Sequence, residues 1–452
     1  MIDIKLIREN PDLVKKAAAD KNMQVDIDHI AAVDQRRRAL ETEFNELRHQ
    51  QNQAGEQIAK APKEQKAELS KAMGKIKARL KEIDAEREKV DAELHELLLL
   101  VPQIPAYDEG VPVGPDASFN KEARRVGTPK RKADFGFPFK DHLELGTSLG
   151  IVDMDRGVKI AGTRNYVLRG AGALLHEAVL RLASDLMLSQ AYELSLSGEL
   201  IGPWSGERSV RRSGRFVPLT VPVLVNDALM YGTGFFPLHR EEVYLCERDG
   251  QSLVGTAEVP VTGYHCDEIL DEAELPKLYF ARTTCFRREA GAAGKDTRGL
   301  YRIHYFDKVE QVVLCKADAA ESKKWHETII ANSEAVLQAL GLPYRLMEVC
   351  TGDMGQGKVR MFDIETWMPS REAYGETHSA SRFHDFQARR LNLRYRRSDT
   401  GKPDFCHTLN NTVIASPRIL IPLLELNQNA DGSVTVPPAL RKYMNGMERI
   451  TA

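Results

Sequence analysis

The strongest chemical signal lies in one stretch, CFRREAGAAGKDTRGLYRIHYFDKVEQV, residues 285–312. On extended strands, side chains two apart share a face. Arg287 and Glu289 are therefore expected to point together, as are Arg302, His304 and Phe306. The Gly/Ala-rich loop between them, closed by Asp296-Thr297-Arg298-Gly299, would bring both groups over one surface. Guanidinium forks suit polyphosphate, and an aromatic ring offers a platform for a base. A second segment, HTLNNTVIASPRILIPLLELNQ (407–428), places Arg418 just after Pro417 at the start of a hydrophobic helix. The helix dipole gives a cation no reason to sit there; a bound anion would supply one. A third, FDIETWMPSREAYGETHSAS (362–381), carries Asp363, Glu365 and Glu376 in strand-like context. Carboxylates near phosphate-binding arginines point to magnesium held through oxygen ligands. The chain has neither a G-x-x-x-x-G-K-[ST] loop nor a G-x-G-x-x-G turn, so P-loop and dinucleotide-fold routes to nucleotide binding are unsupported.

These residues need a scaffold. Short β-type runs (SLVGTAEVPV, LYFARTTCF, MFDIETWM) mix with helical stretches such as Gly172–Ser189 and Asp318–Leu340. They do not alternate as βαβ units would, so the fold class is α+β, around a largely antiparallel sheet in residues 136–452. The first 100 residues differ. From Leu69 the apolar positions Met73, Ile76, Leu80, Ile83, Val90, Leu94 and Leu97 recur every 3.5 residues on average, with Arg87 on the seam. A similar stripe through Val33, Leu40, Leu47 and Ala54 precedes a break at Lys60–Pro62. Two helices joined so briefly must pack antiparallel, which predicts a coiled-coil arm over about 30–100. Between Lys60 and Lys81 stand eight basic and two acidic residues, a net +6 at the arm's tip. That is a candidate phosphate-backbone contact. Pro- and Gly-rich residues 106–135 are expected to be a linker.

Composition narrows the rest. A chain of 452 residues has room for two or three folded units, and its net charge of −2 excludes a generally basic nucleic-acid binder. The longest aliphatic run, Leu97–Val101, is far short of a membrane helix, and the charged start is no secretory signal. Six scattered cysteines without CxxC spacing predict buried thiols in a reducing cytosol, with neither disulfides nor zinc.

Over nearly its whole length the chain resembles bacterial-type seryl-tRNA synthetases, which are class II aminoacyl-tRNA synthetases. The carrying segments are TAEVPVT (256–262), FRREAGAAGKDTRGLYRIHYFDKVE (286–310), CTGDMG (350–355), FDIETWMPS (362–370), FQARRLNLRYR (386–396), HTLN (407–410) and PRILIPLLE (417–425). The resemblance implies an N-terminal tRNA-binding helical domain with its coiled-coil hairpin (1–105), a linker, and a catalytic domain on an antiparallel sheet flanked by helices. It implies an ATP site of Arg287, Arg288, Glu289, Arg302, Phe306, Glu376, Thr377, His378, Ser379 and Arg418. In that family's pattern Arg287 holds the α-phosphate and the substrate carboxylate, Glu289 reads the adenine amino group, and Phe306 stacks on adenine. Arg302 matches a contact to the outer phosphates. Arg418 matches the arginine on the γ-phosphate and the other adenine face. Thr256, Ala257 and Glu258 match the serine pocket, with Glu258 near the amino group and Glu310 accepting the hydroxyl. Glu376 and Ser379 match the metal-holding pair, and Pro222 matches the motif 1 proline of a dimer interface.

The activity implied is serine–tRNA ligation: ATP and L-serine give seryl-adenylate, and serine passes to tRNA(Ser), with tRNA(Sec) a further acceptor. Mg2+ accompanies ATP, Lys71, Lys75, Lys77 and Arg79 grip tRNA, and a cytoplasmic homodimer without membrane contact is expected. Three segments depart from the usual pattern. Asn410-Asn411-Thr412-Val413 replaces Asn-Gly-Ser, so Thr412 takes the serine-contacting position with Val413 narrowing the pocket. Glu376-Thr377-His378-Ser379 keeps only its outer pair, and Glu193–Ser213 reads as an exposed insertion. Two other readings compete: an amino-acid-activating relative with a non-translational acceptor, and an inactive tRNA-binding relative. The first predicts a reduced arm and the second broken ATP contacts, and the sequence has neither.

Overall fold

A computed structural model describes residues 1–189, 193–194, 200–201, 216–292 and 298–452. The expected insertion Glu193–Ser213 lies outside these residues, save for an antiparallel pairing of Glu193–Leu194 with Leu200–Ile201. Asp296 and Thr297 of the Gly/Ala-rich loop lie outside them too. The chain divides into two compact units, Met1–Ile104 and Pro105–Ala452.

The first unit is helical: α1 (Ile4–Glu9), α2 (Pro11–Asp20), α3 (Ile27–Lys60) and α4 (Lys63–Leu100). Asp26 caps α3 by accepting a 2.9 Å bond from the His29 amide. Pro62, unable to continue a helix, sits at the turn and lets α4 start antiparallel to α3. The predicted seam is the packed one, with Leu40, Leu80, Ile83, Val90 and Leu94 buried and Arg87 lying 4.6 Å over the Phe44 ring. Toward the tip Leu69, Met73 and Ile76 are only half-buried. Lys71, Lys75 and Lys77 are exposed there. Arg79 instead ties α4 to α3 through Glu43 at 2.8 Å. At the base, the Asp34 carboxylate (side chain 1% exposed) takes two 2.7 Å bonds from Arg8.

The second unit is built on an eight-stranded sheet. Its strands are β1 (Lys121–Val126), β2 (Val217–Leu219), β3 (Lys277–Phe286), β4 (Tyr305–Cys315), β5 (Tyr344–Glu348), β6 (Arg360–Met368), β7 (Ala373–His384) and β8 (His407–Ser416). Spatial order is β1-β5-β6-β7-β8-β4-β3-β2, antiparallel except for the β3–β2 pair. Helices α5 (Ala171–Leu188), α6 (Ala319–Ala339) and α7 (Leu420–Leu426) bury their apolar residues against the sheet. Val309, Val313, Leu409, Val413 and Ile414 are among the strand residues that join that core. Residues 106–135, expected as a linker, are more than a connection. Lys121–Val126 form the edge strand β1 on β5, and Glu109 receives Arg360 at 2.8 Å and also pairs with the buried Arg382. Among the described residues, no helix is long and apolar enough to cross a membrane.

Candidate active site

Lys308 and Glu310 alternate with core Val309 on β4 and so face away from the helices. They line a cavity of about 530 Å³ together with Thr256, Glu258, Arg287, Glu289, Arg302, Glu376, Ser379 and Thr412. The Lys308 ammonium lies 2.6 Å from Glu310 Oε2 and donates to Thr256 Oγ1 at 2.7 Å. Thr412 Oγ1 donates to the same Glu310 oxygen at 3.1 Å. The β4–β8 register shifts at this point, skipping Val413 and leaving Glu310 opposite Thr412. Val413 is fully buried in the helix-side core and does not narrow the pocket, contrary to the sequence expectation. Asn411 is likewise structural: its amide donates to the Ser379 carbonyl at 3.0 Å and accepts from Gln311 at 2.7 Å.

Glu258 opens the short helix Glu258–Thr262 and takes a 2.7 Å bond from Gln387 Nε2. Burial, and then the nearby Glu310 carboxylate, push the Glu258 carboxyl up to about 7. Ala257 lies in an apolar cluster and does not line the cavity.

On the other side of the cavity the strands end sooner than the alternation implied. β3 stops at Phe286 and β4 starts at Tyr305, so Arg287–Glu289 and Arg302–His304 lie in the connecting segments. The pairing of Arg287 with Phe306 nevertheless forms: the guanidinium carbon is 5.3 Å from the ring centroid. Arg287 Nε also donates to the Gly255 carbonyl at 3.3 Å. Glu289 adopts φ +53° and meets Arg302 Nη1 at 3.1 Å. His304 turns away to the Arg287 carbonyl at 3.0 Å, and the Arg288 guanidinium lies over Tyr244 at 5.5 Å, so neither lines the cavity. A smaller recess beside Phe306 is lined by Tyr301, Thr377, His378, Ser379 and Arg418. There Arg418 stacks on Tyr301 at 4.4 Å and donates to the carbonyls of Tyr301 (3.1 Å) and Glu376 (3.0 Å). Burial lowers His378 to about 3, leaving it neutral, with Nδ1 2.8 Å from Thr377 Oγ1.

The three carboxylates of the third segment separate. Glu365 is taken by Arg345 Nε at 2.6 Å. Asp363 stands opposite Ser379, and burial, reinforced by Glu376, raises its pKa well above the ordinary carboxylate range. Asp363 Oδ1 is buried without a hydrogen-bond partner. An orphaned buried carboxylate oxygen beside Glu376 and Ser379 is a donor set that fits a hard divalent cation.

Two family profiles match this chain. The seryl-tRNA synthetase N-terminal domain covers residues 1–105, and the class II tRNA synthetase core domain (G, H, P, S and T) covers residues 244–427. A serine–tRNA ligase of Deinococcus radiodurans is 43% identical over 449 residues, 99% of this chain and 98% of the relative. The chain belongs to the seryl-tRNA synthetase family. The crystal structure of a seryl-tRNA synthetase from Pyrococcus horikoshii complexed with ATP superposes with a TM-score of 0.86 at 35% identity, covering 100% of this chain and 99% of that one. A cytoplasmic serine–tRNA ligase from Naegleria fowleri in complex with AMP gives 0.83 at 29% identity, with the same coverage. The α+β class and the helical arm inferred from sequence are those of a family member. Among the residues that sequence reasoning missed are Lys308, which lines the cavity, and Gln387, which bonds to the cavity-lining Glu258. Lys308 looked like an ordinary strand residue, although its two-residue spacing from Glu310 was a usable signal. Gln387, which reaches Glu258 from a segment 129 positions away, left no local trace.

Proposed function

We propose that the chain activates L-serine with ATP to seryl-adenylate and then transfers serine to the 3′ end of tRNA(Ser), with tRNA(Sec) a further acceptor. One observation carries this reading. Arg287, its guanidinium over the Phe306 ring, lines both the recess that holds Phe306 and the cavity that holds Glu258, Lys308, Glu310 and Thr412. The ring face suits adenine and Arg287 suits the α-phosphate between base and amino acid. In the pocket Lys308 offsets the charge of Glu310, and an ionised Glu258 remains for the substrate ammonium. Glu310, already an acceptor for Thr412, would accept the serine hydroxyl. An analogue lacking that hydroxyl would leave it underbonded.

In the first step the serine carboxylate attacks the α-phosphorus. The new O–P bond forms as the bond to the β-phosphate bridging oxygen breaks, and pyrophosphate leaves with the electron pair. The nucleophile is already ionised, so the residues' task is alignment and charge stabilisation. Arg287 would hold both anions together, while Arg302 and Arg418 would take the outer phosphates. Mg2+ held by Glu376 and Ser379, with Asp363 behind them, would supply further positive charge to the phosphates. In the second step a terminal ribose hydroxyl of tRNA attacks the carbonyl carbon; the ester bond forms as the bond to the phosphate oxygen breaks, the hydroxyl proton passes to the departing phosphate, and AMP leaves. The exposed Lys71, Lys75 and Lys77 would meet the tRNA backbone. ATP–pyrophosphate exchange across the twenty amino acids tests the reading. Exchange with serine alone is expected; exchange with another amino acid, or with none, overturns it.

A homodimer follows from the same reading. Val217 (48% exposed) on edge strand β2 and Pro222 in the segment matching motif 1 are exposed, as are the apolar Ile160 (76%), Leu174 and Leu188. Sedimentation at micromolar concentration should give twice the 50.7 kDa chain mass. A stable single-chain particle would overturn the dimer.

A further inference from the structure

We infer that Glu242 is a positioning residue that fixes Glu289 in the conformation from which it meets the nucleotide base; this rests on the reading of Glu289 as the adenine contact. Glu242 closes the short turn Arg240–Glu242, 47 positions before Glu289 in the chain. Its main-chain oxygen accepts from the Arg288 amide at 2.9 Å. Its two carboxylate oxygens accept from the amides two and three positions further on: Oε2 from Ala290 at 3.1 Å and Oε1 from Gly291 at 2.8 Å. One residue therefore grips the backbone on both sides of Glu289.

What it grips is unusual. Glu289 has φ +53°, the left-handed region that residues with a Cβ seldom occupy. A left-handed residue followed by a helical turn aims successive amide hydrogens at one point, a concavity that favours an anion. Here the anion is the Glu242 carboxylate. The conformation turns the Glu289 side chain to Arg302 Nη1 at 3.1 Å, inside the cavity that Glu242 also lines. A Cβ on Gly291 would come within 3.3 Å of Glu242 Oε1, so the loop is closed tightly on this carboxylate. Without it, nothing in the local sequence favours the left-handed state, and Glu289 would relax toward extended backbone. Only the remaining fraction of molecules would then present the carboxylate to an adenine amino group.

Nucleotide selectivity separates this role from general support of the fold. Inosine triphosphate carries an oxygen where adenine carries the amino group, so Glu289 should favour ATP over it. Glu242→Gln keeps one acceptor oxygen and loses the other. It should lower the ratio of kcat/KM for ATP to that for inosine triphosphate about tenfold, the loss of one charge-assisted bond. The KM for serine should stay within about twofold, which also shows that the fold is intact. Gly291→Ala, crowding the same contact from the loop side, should lower the ratio in the same direction. In a Glu289→Gln background the Glu242 substitution should lower it no further, because both act through one group. A Glu242→Gln ratio within about twofold of wild type, or a fully additive double mutant, overturns the proposal alone. An unchanged ratio in Glu289→Gln by itself overturns the adenine contact, and the proposal with it.

Discussion

The sharpest consequence of the site concerns Glu258. Its carboxyl, ordinarily near 4.5, is pushed up to about 7 by burial and by Glu310. If the substrate ammonium binds only the ionised form, serine affinity must fall with the ionised fraction. The serine amino group stays protonated between pH 6 and 8, so the dependence belongs to the protein. Affinity at pH 8 should be close to maximal, at pH 7 about twofold lower, and at pH 6 about tenfold lower. Binding at pH 7 should also release about half a proton, visible in calorimetry as an enthalpy that varies with the buffer's ionisation heat. Glu258→Gln should abolish the pH dependence and weaken binding at pH 8 by about 1.5–3 kcal/mol. The same shift has the opposite sign for stability. The folded pKa lies above the unfolded one, so stability is fully present below about 4.5 and is lost as pH rises to about 7. At ~1.4 kcal/mol per pH unit the penalty at pH 8 is about 3 kcal/mol. Glu258→Gln should therefore raise the Tm of the free protein at pH 8 and leave it unchanged near pH 4. Serine affinity that is flat from pH 6 to 8, or a Gln variant that melts lower at pH 8, would refute the assignment of Glu258 to the ammonium.

Three further outcomes are expected. Arg287→Ala should cut ATP–pyrophosphate exchange by more than about a hundredfold with an unchanged melting curve, since its charge acts mainly in the transition state; exchange within about tenfold of wild type would remove it from the α-phosphate. Replacing Lys71, Lys75 and Lys77 by Gln should weaken tRNA binding and flatten its salt dependence while exchange persists; unaltered tRNA charging would leave the tip merely solvated. Arg79, engaged by Glu43, is a poorer probe, because its loss also loosens the hairpin. Asp34→Asn should destabilise the helical unit by roughly 1–2 kcal/mol, since it weakens the charge-assisted bonds from the partly exposed Arg8 guanidinium. The Arg8 hydrogen bonds hold the Asp34 carboxyl below the usual carboxylate range. That contribution is thus present above about pH 4 and lost as pH falls through the depressed folded value; melting of the isolated 1–104 unit at pH 7 and pH 3 checks it.

The helical arm was legible because a 3.5-residue seam is a local property: each apolar residue predicts the next, and Pro62 marks the turn. Arg287, Phe306 and Arg418 were legible by type, because fixed positive charge among β-type residues is rare without an anion. What the period-two rule for strands could not give was the face that each site residue takes. Glu376 and Ser379 lie three positions apart and both line the main cavity; Thr412 and Ala415, also three apart, both line the recess beside Phe306. Strict alternation would put the members of each pair on opposite faces. Each pair spans a register shift, one skipping Thr377 on β7 and the other Val413 on β8. The extra residue turns inward in both strands: Thr377 Oγ1 meets Thr366 Oγ1 at 2.7 Å, and Val413 joins the helix-side core. Both lie within the segments that depart from the usual family pattern, Glu376–Ser379 and Asn410–Val413. A bulge lets two neighbouring strands turn an additional side chain toward the same ligand without exposing the core behind it. The cost is that the residue types on the page, read in steps of two, assign those side chains to the wrong face just where the chemistry is.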